Sequence, residues 1–158
     1  MARRLAASGP AEIVLADTIG VAVPAQVSAL IAAVRAVIGA IPIRAHFHNT
    51  RNTGIANVWA AVEAGATTID AAIGGLGGCP FAPGAAGNVS TEDVVYMLER
   101  AGISTALDLD RLVDLVLDAT DLLGRVVQLG NGGGHHARHH AAEEGSDECG
   151  GDGQSLHG

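Results

Sequence analysis

The sequence predicts an α/β fold on a parallel sheet, because three short apolar runs alternate with stretches whose apolar residues recur at helical spacing. Strands that alternate with helices in this way form right-handed βαβ units. The first run, Glu12–Asp17, is β-branched and apolar and ends in a carboxylate. Pro24 suits the first turn of a helix, and Val27, Leu30, Ile31, Val34 and Ile38 then form one stripe. Ile43–Phe47 is the second strand. Ile55, Val58, Trp59 and Val62 mark a second helix, stopped by Gly65. Thr67–Ile73 is the third strand, and it opens into a loop with six glycines from Gly74 to Gly87. Ser90 with Asp93 three residues later resembles a capping box, ahead of Val94, Val95 and Leu98 on a helix ending near Gly102. Leu109, Leu112, Val113 and Val116 give a last helix reaching roughly Gly124.

Composition narrows the function classes. Of 158 residues, 48% are apolar, which is enough for one modest domain. The net charge of -8, with arginine the only basic side chain besides histidine, argues against nucleic acid or an anionic membrane as partner. The apolar stretch Val27–Ile43 is broken by Ser28, Arg35 and Gly39, so it does not read as a membrane span. Two cysteines, Cys79 and Cys149, make no disulfide framework, and a reducing cytoplasm is the expected compartment. From about Leu129 the chain turns to glycine, histidine and acid without apolar period, so residues 129–158 are expected to be a disordered tail behind a domain of residues 1–128. Its His135–His140 stretch reads as a biased segment rather than a built metal site. Three strands cannot close a barrel and would leave two open edges. Ala2–Ser8 reads as the end of a helix, so a fragment of a longer protein is the expectation.

Five residues carry candidate chemistry. His46 and His48 stand two apart on a strand and so share one face. They lie at its C-terminal end, where parallel α/β barrels place active sites. Read alone, the pair is either half of a metal site or two histidines in a polar pocket. The glycines around Cys79 allow a loop to fold closely over a ligand, within which a thiol can move protons or attack a carbonyl; a flexible loop with an incidental cysteine is the other reading. No Gly-Lys-Ser/Thr ending follows, which excludes a P-loop. Asn88 either serves a turn or adds an amide oxygen to the histidines, a donor set suited to Mg²⁺ or Mn²⁺. Asp17, at the end of the first strand, either acts on a substrate hydroxyl at the same rim or caps a loop.

Four segments in the same order and spacing resemble hydroxymethylglutaryl-CoA lyase: Asp17-Thr-Ile-Gly, His46-Phe-His-Asn-Thr, Gly75-Leu-Gly-Gly-Cys-Pro-Phe-Ala and Gly87-Asn-Val-Ser-Thr-Glu-Asp-Val-Val-Tyr-Met-Leu. The resemblance runs from about residue 2 to residue 125. It implies the C-terminal portion of a TIM (β/α)8 barrel, about three β/α units and therefore incomplete. It also implies an acyl-CoA substrate, 3-hydroxy-3-methylglutaryl-CoA, cleaved to acetoacetate and acetyl-CoA in leucine degradation with one divalent cation. By this resemblance His46, His48 and Asn88 look like metal ligands, Cys79 like the glycine-loop catalytic cysteine that, itself or through a water it positions, protonates the product enolate, and Asp17 like the strand-end acid.

Asn49 follows His48 where some members carry Asp. The family's first-strand aspartate and arginine and its second-strand glutamate have no counterpart here. An N-terminal half or a homo-oligomer is therefore an expected partner, and the isolated chain is expected to be inactive. The runners-up are a condensing enzyme of the isopropylmalate synthase type, from which Gly-Gly-Cys-Pro-Phe-Ala separates it, and a non-catalytic remnant.

Overall fold

A computed structural model describes residues 1–77 and 87–123. Cys79 and the expected tail at 129–158 lie outside the described residues. The elements are α1 (Ala2–Ala6), β1 (Ile13–Asp17), α2 (Pro24–Ile38), β2 (Ile43–Phe47), α3 (Gly54–Glu63), β3 (Thr68–Asp70), a 3-10 turn (Ile73–Gly75), α4 (Thr91–Arg100) and α5 (Leu109–Leu123). The three strands form one parallel sheet in the order β1-β2-β3, the predicted α/β architecture.

Register decides which residue faces which way. Ile13, Leu15 and Asp17 stand beside Ile43, Ala45 and Phe47, and Ile69 stands beside Ala45. Paired residues in a parallel ladder leave the sheet on the same side, so these make one face. Nearly all of its apolar side chains join Val27, Ile31, Val34 and Ile38 of α2, Val58 and Ala61 of α3, and Val94 and Leu98 of α4 in a single core. Burying a Val, Leu or Ile side chain is worth roughly 1.5–3 kcal/mol each, and this face supplies most of the stability. The other face holds Val14 and Ala16, then Arg44 and His46, then Thr68 and Asp70. Val14 is half exposed, and no described helix contributes to a core there.

Two details depart from the predicted elements. Leu30, placed in the apolar stripe of α2, is 53% exposed on its flank, beside a groove that it shares with Leu15, Asp17 and Phe47. The third strand is three residues long rather than seven. After Asp70 the chain exchanges hydrogen bonds with the segment before α4, Ala72 N donating to Val89 O and Thr91 N to Ala72 O. It then enters the 3-10 turn through Gly74 and Gly75, both at left-handed φ.

At the opposite end of the sheet, one side chain ties two loops together. Arg35 donates to Gly39 O, to Ile41 O and, across 30 residues, to Gly65 O at 2.9 Å. Among the described residues no helix is long and apolar enough to cross a membrane.

Candidate active site

The C-terminal ends of the strands carry the polar residues. His46 closes the open face of β2, and His48 follows two residues later with its side chain buried. Their ring centroids are 5.2 Å apart at an interplanar angle of 60°. The segment before α4 threads beside this strand end: Asn49 N donates to Gly87 O and Val89 N to Phe47 O, so Asn88 forms a backbone bridge with His48. The structure thus brings His46, His48 and Asn88 to one place.

Asn88 is held in a definite orientation. Its Nδ2 donates to Leu76 O at 2.9 Å, which assigns the amide nitrogen, while its Oδ1 is buried with no hydrogen-bond partner among the described residues. An orphaned buried carbonyl costs about 1–3 kcal/mol, and native structures give such groups a partner. An oxygen ligand site for a cation supplies one, and two imidazoles beside an amide oxygen suit Mn²⁺ or Mg²⁺. The donor set therefore fits a divalent cation. Among the described residues no group of three or more His, Cys, Asp or Glu forms a metal cluster, so the set depends on Asn88. The turn that carries Asn88 is built close: a Cβ at Gly87 would lie 2.0 Å from Gly75 O.

Asp17 stands at the same end of the sheet as the histidines but on the other face, in register with Phe47. The common rim expected for Asp17 and the histidines is therefore found, with the carboxylate leaving it on the helix-side face. Its Oδ1 accepts the N–H groups of Gly20 and Val21, and its Oδ2 accepts that of Ala22 at 2.9 Å. A carboxylate has about four acceptor positions, so three are committed to shaping the β1–α2 loop. α3 holds the far side of that loop, since Thr53 Oγ1 and Asn57 Nδ2 both donate to Ala22 O at 2.8 Å. Gly20, at φ 66°, fits where a Cβ would sit 2.6 Å from Thr50 Oγ1. Asn49 links the histidine strand to α3, its Oδ1 accepting Gly54 N at 2.9 Å. An Asp would offer the same acceptor, so the Asn found here keeps that bond.

Sequence reasoning missed a charged row on the open face. Arg44 donates from Nε to Glu12 at 2.8 Å and from Nη1 to Asp70 Oδ1 at 2.7 Å, and its Nη2 lies 2.7 Å from Glu12. The hydrogen bonds to Glu12 first, and to Asp70 second, raise the Arg44 pKa further, so the guanidinium stays charged. Asp70 Oδ2 in turn lies 3.7 Å from His46 Nδ1. The signal was present as alternation, because Arg44 and His46 on β2 and His48 just beyond it all fall at the same parity.

A parallel sheet with helices on one face and a histidine pair at its C-terminal rim defines a segment of a (β/α)8-barrel enzyme. The chain matches the HMGL-like family over residues 1–117, and it belongs to that family. It is 50% identical over 105 residues to the (R)-citramalyl-CoA lyase of Chloroflexus aurantiacus, covering 66% of this chain and 33% of that protein. It is 45% identical over 117 residues to the hydroxymethylglutaryl-CoA lyase YngG of Bacillus subtilis, covering 74% of this chain and 39% of that protein. The solved HMG-CoA lyase from Acenitobacter baumannii, in complex with coenzyme A and 3-methylmalate, superposes with a TM-score of 0.73 at 48% identity. That match covers 83% of this chain and 44% of the other. The chain thus spans between a third and two fifths of the curated relatives' length, and its three strands match part of their barrel.

Proposed function

We propose that this chain supplies the histidine–asparagine side of the active site of a carbon–carbon lyase that cleaves 3-hydroxy-3-methylglutaryl-CoA to acetoacetate and acetyl-CoA. The observation that carries this is the buried Asn88 Oδ1, without a hydrogen-bond partner among the described residues, on the residue bridged to His48, whose ring neighbours that of His46. Those three residues would hold a divalent cation, Mg²⁺ or Mn²⁺. When bound there, such an ion supplies Lewis acidity toward the substrate's oxygens.

The remaining roles fall to this chain's own side chains. Asp17 keeps one acceptor position after its three loop bonds, so its main part is to hold the β1–α2 loop at the mouth of the site. Cys79, in the glycine-rich loop beyond Gly77, is the residue we assign to protonating the enolate left when the C–C bond breaks. A cytoplasmic setting keeps it a thiol. An acyl-CoA substrate is supported by the coenzyme A held in the solved relative. Citramalyl-CoA is a rival thioester, given the similarly strong match to the Chloroflexus protein.

Complete chemistry also needs groups from segments that the relatives possess beyond the matched third. Orientation of reacting groups is worth about 7–11 kcal/mol, so the chain alone should turn over neither thioester. The test is a lyase assay with Mn²⁺ on the full chain, alone and mixed with a separately expressed N-terminal part of a close relative. We expect turnover of hydroxymethylglutaryl-CoA only in the mixture, and its loss in Cys79→Ala. Ordinary enzyme rates from the chain alone, or a mixture equally active with Cys79→Ala, would overturn the proposal.

A further inference from the structure

We propose that Asp70, clamped by Arg44, is a positioning residue that sets the tautomer of His46 and turns its Nε2 away from the carboxylate row. The inference builds on the reading of His46 as a ligand, but its own evidence is the row of charges on the open face. His46 and Asp70 are register partners on adjacent parallel strands and leave the sheet on the same side. Arg44 is two residues before His46 and is therefore on that side too. The guanidinium engages Glu12 through Nε and Nη2 and Asp70 through Nη1, so all three of its nitrogens already face carboxylates. That leaves Arg44 poorly placed to bind a substrate anion and well placed to fix Asp70.

Arg44 occupies Asp70 Oδ1, and the free oxygen, Oδ2, is the one that approaches His46 Nδ1 at 3.7 Å. A shortening of under about 1 Å brings this pair into hydrogen-bond range. Because a carboxylate only accepts, the partner nitrogen must carry the proton, which selects the Nδ1–H tautomer. A neutral imidazole exposed to water favours the other one. With Nδ1 facing Asp70, the Nε2 lone pair points to the opposite side of the ring, and a carboxylate behind a ligating histidine raises its basicity as well as orienting it. The row Glu12–Arg44–Asp70–His46 thus runs from the residue before β1 across β2 and β3 and ends on an imidazole.

The experiment is a long-range ¹H–¹⁵N correlation of the imidazoles in the metal-free full chain, at a pH where they are neutral. The His46 signals are identified by their loss in His46→Gln. We expect predominantly Nδ1–H at His46 in the wild type and Nε2–H in Asp70→Ala. Asp70→Asn keeps an acceptor oxygen and should keep Nδ1–H. Mn²⁺ affinity should fall about 10–100-fold in Asp70→Ala. An Nε2–H wild type overturns the inference, and so does an Asp70→Ala variant with a native amide spectrum and an unchanged tautomer. Should Asp70→Ala fail to fold, the wild type and Arg44→Gln decide, the latter by a rise in Nε2–H if Arg44 clamps the carboxylate. A wild type that shows Nδ1–H yet binds no Mn²⁺ upholds the positioning of His46 and removes the ligand reading beneath the proposed function.

Discussion

The two faces of the three-stranded sheet are built from neighbouring residues and do different work. On the helix side, Ile43, Ala45 and Phe47 of β2 are each under 5% exposed and lock the strand to α2 and α3. On the open side, Arg44 and His46 of the same strand are about one-third and one-quarter exposed and turn their polar groups to Glu12 and Asp70. A strand alternates its side chains between faces, so five residues serve both purposes at once. One face sets how stable the barrel segment is, and the other sets what it can hold. The division implies that stability and cation binding can be separated by mutation at adjacent positions.

The largest effect is expected at Ile43, fully buried on the helix side. Ile43→Ala should lower unfolding free energy by about 2–5 kcal/mol, read from urea denaturation of the full chain, while His46→Ala should cost under about 1 kcal/mol. Similar losses at both positions would erase the division between the faces. Next comes Gly20, in the loop that Asp17 shapes. Gly20→Ala forces a left-handed residue, at roughly 1–2 kcal/mol, and pushes Cβ toward Thr50 Oγ1 and His48 O. Its loss of stability should exceed that of Gly9→Ala, where φ is also positive but a Cβ meets nothing within 4 Å. Equal losses would mean that close packing beneath the loop contributes nothing.

The smallest effect lies away from the sheet and sets a baseline for acid sensitivity. Glu99 at the end of α4 accepts Thr105 N and Thr105 Oγ1, and the backbone bond first, then the hydroxyl, lowers its pKa below the ordinary carboxylate value. A carboxyl with a depressed folded pKa stabilises the fold above its unfolded pKa and loses that contribution as pH falls through the folded one. Wild type should therefore melt slightly above Glu99→Gln at neutral pH, and the two should converge in acid. A gap that widened on acidification would reverse the sign of this contact.

The sequence made one strand legible to the residue and the others less so. Ile43–Phe47 coincides with β2, because Arg44 and His46 between buried apolar residues give a clean period of two. Glu12–Asp17 has four consecutive apolar residues in its middle, so no alternation showed which face Asp17 would take. Only the pairing of Asp17 with Phe47, a contact between distant segments, settled it. Thr67–Ile73 was cut short because beyond Asp70 the chain pairs with the segment before α4 instead of β2, a contact between distant residues that the pattern of apolar residues does not reveal. His46 and His48 could be picked out because two residues of one type at strand spacing form a local signal. Asn88 came from resemblance, since a lone Asn before a helix has commoner uses. Glu12, Arg44 and Asp70 went unremarked because each alone resembles a surface charge, and only the register of three strands makes them a row.

The central claim is that the open face of β2 and the turn at Asn88 form one cation site. The most direct measurement is a Mn²⁺ titration of the full chain, followed by paramagnetic resonance, in wild type, His46→Ala and Asn88→Ala, each first shown to keep the wild-type amide spectrum. The account predicts weak binding by the wild type, weak because a carboxylate ligand is missing from this set, and its loss in both variants. Undiminished binding in both variants would place the ion elsewhere on the chain and contradict it.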